Sequence, residues 1–319
     1  MYSLTNFFLK QPSVQRYEHK ESVYNSPWCI KSDMGLIMFI FMICFALSGC
    51  YPDRVESIKL MNAGIKKHNS GSSTAAVRLL ARSAETDPSN HRALFYRGLI
   101  LNELGRIEER ADRFEEAVRS LEESIKISKE DPKVFYQLGV AFSELERDGQ
   151  ALRAFANAQS IKPHGQAAYR SALIHLKREQ YNSAQESLRT AIIAEPELGL
   201  AYTALSQLYR RFKKPSAAVM VLKNAIENDP EDTNHYRDLG EVYAALKQYS
   251  KAIQLFETAL QDRPTNSPLT FLLAEASYNH GDLQSAEIYI KKYLRMGHRK
   301  EEKLMISKAK QILAKLRKK

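Results

Sequence analysis

Side chains that ligate metals or act as nucleophile and base near neutral pH are mainly cysteine and histidine, and this chain uses both sparingly. Its cysteines are Cys29, Cys44 and Cys50, with none beyond Cys50. The long remainder therefore has no disulfide framework, CxxC pair or thiolate zinc site. Histidines His19, His68, His91, His164, His175, His235, His280 and His298 stand singly, without the spacing of a metal pair. There is no GxxxxGK phosphate loop, HExxH pair, GxSxG elbow or Gly-rich dinucleotide turn. Neighbouring carboxylates such as Glu108 and Glu109, Glu115 and Glu116, or Glu122 and Glu123 sit in charged helical sequence. They read as solvated faces with partners four residues on, as Glu122 has in Lys126. No catalytic residue, metal ligand or cofactor is assigned, and the chain is not expected to be an enzyme.

A chain without such chemistry has to work through its surface. Of 319 residues, 44% are hydrophobic and 26% charged, enough to bury a core, and 13 glycines with 11 prolines exclude collagen-like or low-complexity sequence. The net charge of +10 is local. Twelve basic residues against Glu301 and Glu302 lie from Lys291 onward, which gives that stretch +10; residues 1–49 carry +1 and residues 50–290 carry −1. A nucleic-acid binder shows a basic face on its folded body, so nucleic acid is not the expected partner.

One thiol does stand in a reactive context. Gly35 to Gly49 is a nearly unbroken apolar run of fifteen residues that ends in Leu47, Ser48, Gly49 and Cys50. A membrane-spanning helix needs about 20 apolar residues, whereas a secretory signal has an apolar core of about 7–15 ahead of small residues. The four closing residues resemble the bacterial lipobox. That resemblance implies cleavage before Cys50, acylation of its thiol and new amine (palmitate-type lipidation), and, with Tyr51 rather than Asp in the next position, sorting to the outer membrane on its periplasmic face. An uncleaved membrane anchor that happens to end in Cys is the alternative. The leader is long, and translation from Met34 would leave residues 1–33 unmade.

The elements that must present a surface come from a repeat. Within Thr233–Asn266 the residues Tyr236, Leu239, Gly240, Tyr243, Ala252, Phe256, Ala259 and Pro264 occupy positions 4, 7, 8, 11, 20, 24, 27 and 32. This pattern resembles the tetratricopeptide repeat, a helix–turn–helix of about 34 residues. Seven units follow it: 57–90, 91–131, 132–164, 165–198, 199–232, 233–266 and 267–300. The second carries seven surplus residues around Arg106–Asp112, which should lengthen its first helix or its turn. A small residue at position 8 (Gly64, Gly98, Gly139, Ala172, Ser206, Gly240, Ala274) is expected to face Ala at position 20, letting the backbones approach. One hairpin cannot bury its apolar side alone, so the units must stack. The expected fold is an all-α, right-handed superhelical solenoid of seven hairpins. Residues 301–319 form a basic capping helix, with Leu304, Ile306, Ala309, Ile312, Leu313 and Leu316 on its apolar stripe. The basic tail has a second reading, as a dock for an acidic partner, lipid phosphates or another polyanion. Residues 50–56 are a short tether, at most about 25 Å long if extended.

The family resemblance also implies a concave groove lined by the first helices at positions 2, 5, 6, 9, 12 and 13. On this chain those positions offer Phe95, Asn102, Tyr136, Val140, Tyr169, Arg170, Leu173, Lys177, Gln207, Arg210, Arg211, Arg237, Glu241, Phe271 and Glu275. Aromatic residues beside cations suit a peptide with an apolar anchor and an acidic flank; packing between repeats is the other use for those aromatics. The Lys–Asn carboxylate clamp of chaperone-type members is not expected, because position 5 holds no Lys in any unit. The architecture resembles the type IV pilus biogenesis lipoproteins, the secretin pilotins, which implies a membrane-anchored adaptor for envelope proteins. A regulatory subunit that activates an envelope enzyme, such as a peptidoglycan hydrolase, and a cytoplasm-facing anchored co-chaperone are the alternatives.

Overall fold

The computed structural model describes residues 51–296 and 302–317, with Tyr51 by its backbone only. The leader at 1–49 and the acylation site Cys50 lie outside them. The contacts divide the chain after Tyr51, and Pro52–Lys319 forms one compact unit. Fifteen helices cover the described residues. They are α1 Tyr51–Asn69, α2 Ser73–Thr86, α3 His91–Glu108, α4 Ala111–Ile127, α5 Pro132–Glu144, α6 Asp148–Ile161, α7 Gly165–Lys177, α8 Tyr181–Ala194, α9 Gly199–Arg211, α10 Pro215–Asn228, α11 Thr233–Ala245, α12 Tyr249–Asp262, α13 Ser267–His280, α14 Leu283–Arg295 and α15 Lys303–Leu316. Helix makes up 83% of the residues described and no strand occurs among them, so the fold is all-α. None of these helices is long and apolar enough to cross a membrane. Residues 51–56, expected as a tether, are the first turns of α1.

From α2 onward each helix packs on its neighbours in the chain, and Gly64 of α1 lies against Leu80 of α2. The odd-numbered helices also touch one another, α3 on α5, α5 on α7, α9 on α11, α11 on α13 and α13 on α15. First helices of successive hairpins thus form one face and second helices the other. The core runs along the stack in overlapping stretches, from Met61 to Ile174, Ala168 to Ala276 and Phe271 to Ile312.

The expected small-on-small contact is one part of what locks a hairpin. All seven alanines at position 20 are fully buried, and in the four units with Gly at position 8 the space its Cβ would need is filled by the large residue at position 24, joined at Gly64 by the Ala76 carbonyl oxygen at 3.3 Å. A Cβ on Gly139 would lie 2.5 Å from the Phe155 ring, one on Gly240 2.5 Å from the Phe256 ring, and one on Gly98 2.5 Å from Leu121. The position-24 residues Leu80, Leu121, Phe155, Leu188, Leu222, Phe256 and Ile290 are at most 1% exposed. Removing a side chain from the first helix makes room for a ring or isobutyl group of the second. The surplus residues of the second unit lengthen both helices, to 18 residues in α3 and 17 in α4. The fit is kept there, since Gly105, two turns after Gly98, receives Phe114.

The hairpin turns share one backbone solution. A left-handed residue ends each first helix, at the C-cap or one place beyond it: Gly71 and Gly281 at the ends, and Glu109, Glu146, Glu179, Lys213 and Lys247 between them, with φ of 54–59° at the charged five. The next N–H then donates to a carbonyl five residues back, as from Arg147 to Phe142, Gln180 to His175, Lys214 to Tyr209 and Gln248 to Tyr243. This is the Schellman closure, which satisfies carbonyls that a helix end leaves open. Between hairpins, Pro88, Pro163, Pro196, Pro230 and Pro264 fall outside every helix, as a residue without an N–H should. Asn90, Asp131, His164, Asp232 and Asn266 cap the following helix through their side chains.

The C-terminal helix closes the stack. Ala309 and Ile312 of α15 are buried against Phe271, Ala274, Ile290 and Tyr293. Leu304, expected on the same stripe, is 56% exposed, and Met305 packs in its place. Glu302 anchors the junction: its carboxylate accepts from Ser267 Oγ at 2.6 Å and Tyr293 Oη at 3.3 Å. Burial and the adjoining Glu302 carboxylate push the Tyr293 phenol up to about 12.

The interlock makes opposite demands on two helical glycines. Gly139→Ala is expected to lose about 1–3 kcal/mol, the usual range for overpacking. Gly149→Ala, where nothing lies within 4 Å of the added methyl, is expected to gain about 0.5–1 kcal/mol from helix propensity. Denaturant melts of both variants check this, and equal shifts would remove the packing account.

Candidate protein-binding groove

The face made by the odd-numbered helices is crossed by polar rungs that join residues 30–35 apart in the chain. Asn102 on α3 donates to the Gln137 carbonyl oxygen at 2.9 Å on α5, and Tyr136 Oη donates to Gln166 Oε1 at 3.0 Å on α7. Thr203 Oγ1 on α9 donates to Asp238 Oδ2 at 2.6 Å on α11. Arg210 on α9 lies 3.5 Å from Glu241 on α11, and Glu275 on α13 lies 3.7 Å from Lys308 on α15. Each rung ties one hairpin to the next where their first helices meet.

These rungs decide the fate of the residues singled out from sequence. Asn102 is fully buried, and Val140 and Phe271 are 2% exposed, so all three serve packing between helices instead of an open groove. Phe271 lies against Tyr293 with ring centroids 5.3 Å apart. Tyr136 is buried too, stacked 4.8 Å from His164. Phe95 is partly buried and packs on Tyr96 and the core. Arg211 lies 4.7 Å over the Tyr181 ring, which turns it toward α8 and away from the odd-helix face. Tyr169 is half-buried, and burial raises its phenol above the ordinary value. Gln207 is exposed.

The cations are matched by acids. Arg170 lies 3.9 Å from Glu144, and Lys177 lies 3.5 Å from Glu146 and 4.0 Å from Asp148. Arg237 donates through Nε and Nη2 to Asp238 Oδ1 at 3.0 and 2.7 Å. Burial works against the Arg237 charge, yet the Asp238 carboxylate holds its pKa above the ordinary value. Burial, and then Asp238, push the Glu241 carboxyl up against the pull of Arg237 and Arg210. The cations expected beside the aromatic residues are therefore balanced by acids on this face.

Arg210, Glu241 and Glu275 converge on a pocket of about 250 Å³. Its apolar lining is Ala244, Ala245, Phe256, Leu272 and Ala276, and Tyr249 and Asn279 complete it. Sequence reasoning missed Ala244, Ala245, Leu272 and Asn279. They occupy positions 12, 13, 6 and 13, which belong to the lining set, but a search for charged and aromatic side chains passes over small and aliphatic ones.

One further cluster brings a histidine to two carboxylates. Asp229, Asp232 and His235 offer ligand atoms within 4.8 Å of one another. Both acids already serve the backbone: Asp229 Oδ1 accepts from the Glu231 and Asp232 amides, and Asp232 Oδ1 from the Asn234 amide. They lie at the positive end of α11, which favours anions over a cation.

The raised Glu241 carboxyl has a measurable sign. The folded chain holds this proton more tightly than the unfolded chain does. Stability therefore falls as pH rises from the ordinary value of 4.5 through the raised one. Glu241→Gln is expected to flatten that fall in melting temperature against pH; an unchanged slope would contradict the assignment.

Comparison with known proteins places this geometry. Family models described as tetratricopeptide repeat match residues 69–120, 203–268 and 243–300. Among solved structures, PilW, described as a widely conserved type IV pilus biogenesis factor, is 15% identical with a TM-score of 0.51, over 65% of this chain and 94% of its own. A tetratricopeptide repeat protein from Parabacteroides merdae is 18% identical over 82% of this chain and 98% of its own, with a TM-score of 0.49. YrrB, described as a repeat protein with an unusual peptide-binding site, is 17% identical over 61% and 99%, with a TM-score of 0.49. No curated protein matches the chain in sequence. At these identities the likeness to PilW is one of fold.

Proposed function

The chain belongs to the tetratricopeptide repeat family, and from that premise we propose that it is a non-catalytic adaptor, held by lipid at Cys50 in the outer membrane, that grips an envelope protein through the odd-helix face. The observation that carries the reading is the pocket between α9, α11 and α13. It combines an apolar floor with both signs of charge at its rim, the mixture that fixes a peptide's position and orientation. A segment with a small apolar side chain seated on Ala245 and Leu272, flanked by one basic and one acidic residue, meets Glu275 and Arg210 together. Assistance to assembly of a type IV pilus secretin is the specific role we propose. It is supported by the lipobox-like ending at Cys50, the repeat architecture and the fold likeness to a pilus biogenesis factor.

Ala245→Trp, which fills the pocket from an exposed position, is expected to weaken capture of a secretin subunit by the full chain roughly thirtyfold, the scale of a single hot spot. The melting temperature should stay unchanged. Undiminished capture would overturn the groove assignment. For the anchor, Cys50→Ser is expected to abolish palmitate labelling and globomycin-sensitive processing; labelling that persists would overturn the lipidation.

A further inference from the structure

The C-terminal helix carries more charge than capping the solenoid requires. Among its fourteen residues, Lys303–Leu316, there is no acid. Lys303, Lys310 and the C-cap Arg317 follow at seven-residue spacing, two helical turns, and make one exposed flank; Lys308 and Lys315 make the other. Between the flanks, on the side opposite the buried Ala309 and Ile312, lies an exposed uncharged strip of Leu304, Ser307, Gln311 and Ala314. The helix dipole accounts for part of this only. Cations gain from it in the last turn, which holds Lys315 and Arg317, whereas Lys303 sits in the first turn, where the dipole opposes it. Glu275 lies 3.7 Å from Lys308, and Glu287 of α14 attracts Arg317. The preceding α14 adds exposed Lys292 and Arg295.

We propose that α15 is a docking face for an anionic phospholipid surface. Two rows of cations either side of an uncharged strip meet a plane simultaneously, and Leu304, 56% exposed, can enter the headgroup layer between them. The surface stands on the charge arrangement of α15 and does not depend on acylation of Cys50.

The test uses the full chain and vesicles of two compositions, phosphatidylcholine alone and phosphatidylcholine with equal phosphatidylglycerol. The apolar run at 35–49 carries no charged residue, so the difference between the two vesicles reads charged residues elsewhere in the chain, and the substitutions below assign it to the basic face. At low salt the chain is expected to bind the anionic vesicles about a hundredfold more tightly than the neutral ones, and high salt should erase the difference. Lys303→Gln, Lys310→Gln and Arg317→Gln combined should reduce the preference to a few-fold with the circular dichroism unchanged. If that variant is unfolded, Lys308→Gln with Lys315→Gln is read in its place. Equal binding to both vesicles, or a preference that neutralisation leaves intact, would overturn the proposal. Tighter binding to duplex DNA than to the anionic vesicles would also overturn it and make nucleic acid the partner.

Discussion

In four of the seven hairpins a missing side chain sets how closely the two helices pack. At position 8 of these units, the absence of a Cβ admits the phenyl or isobutyl group at position 24, which leaves no room for the second helix elsewhere. Interiors are packed as densely as organic crystals, so a hairpin fixed in this way presents a fixed surface to its neighbour. The second unit illustrates the rule. Its helices are longer, yet Gly98 and Gly105 still receive Leu121 and Phe114, and the stack passes through the insertion without losing its interior contact.

The same constraint sorts the polar residues. With first helices held side by side, groups on adjacent units about one repeat apart come within hydrogen-bond reach, as Thr203 and Asp238 do. A half-buried charge is tolerable only when paired. Much of the charge on this face is consequently spent on neighbours, and the place left for a partner is the small-floored pocket beside Arg210, Glu241 and Glu275. At the end of the stack, Lys308 has Glu275 at 3.7 Å, and Arg317 shares Glu287 of α14 with Lys291, which lies 2.6 Å from it.

Some of this was legible in the chain and some was not. The helical repeat shows in the recurrence of Ala at position 20, a small residue at position 8 and Pro at position 32, because each is a local steric requirement repeated with the period of the fold. The left-handed turn residues were not legible. Gly71 and Gly281 advertise such a backbone, but Glu109, Glu146, Glu179, Lys213 and Lys247 adopt it without a distinguishing side chain. The groove was half legible. Arg210, Arg237 and Glu241 do lie together, whereas Asn102, Val140 and Phe271 turn inward. A repeat position names a direction on one helix, and whether that direction ends in solvent depends on how the next hairpin sits.

By itself the sequence determined that these helices form, where most of them break and that each hairpin needs a neighbour, since propensity, proline and apolar spacing act within about thirty residues. Only the tertiary structure decided which large residue fills the gap at each glycine, which charges neutralise one another and which small residues floor the pocket. Those outcomes belong to pairs of residues about a repeat apart, whose separation in space is set by packing and is not written in either residue's own neighbourhood.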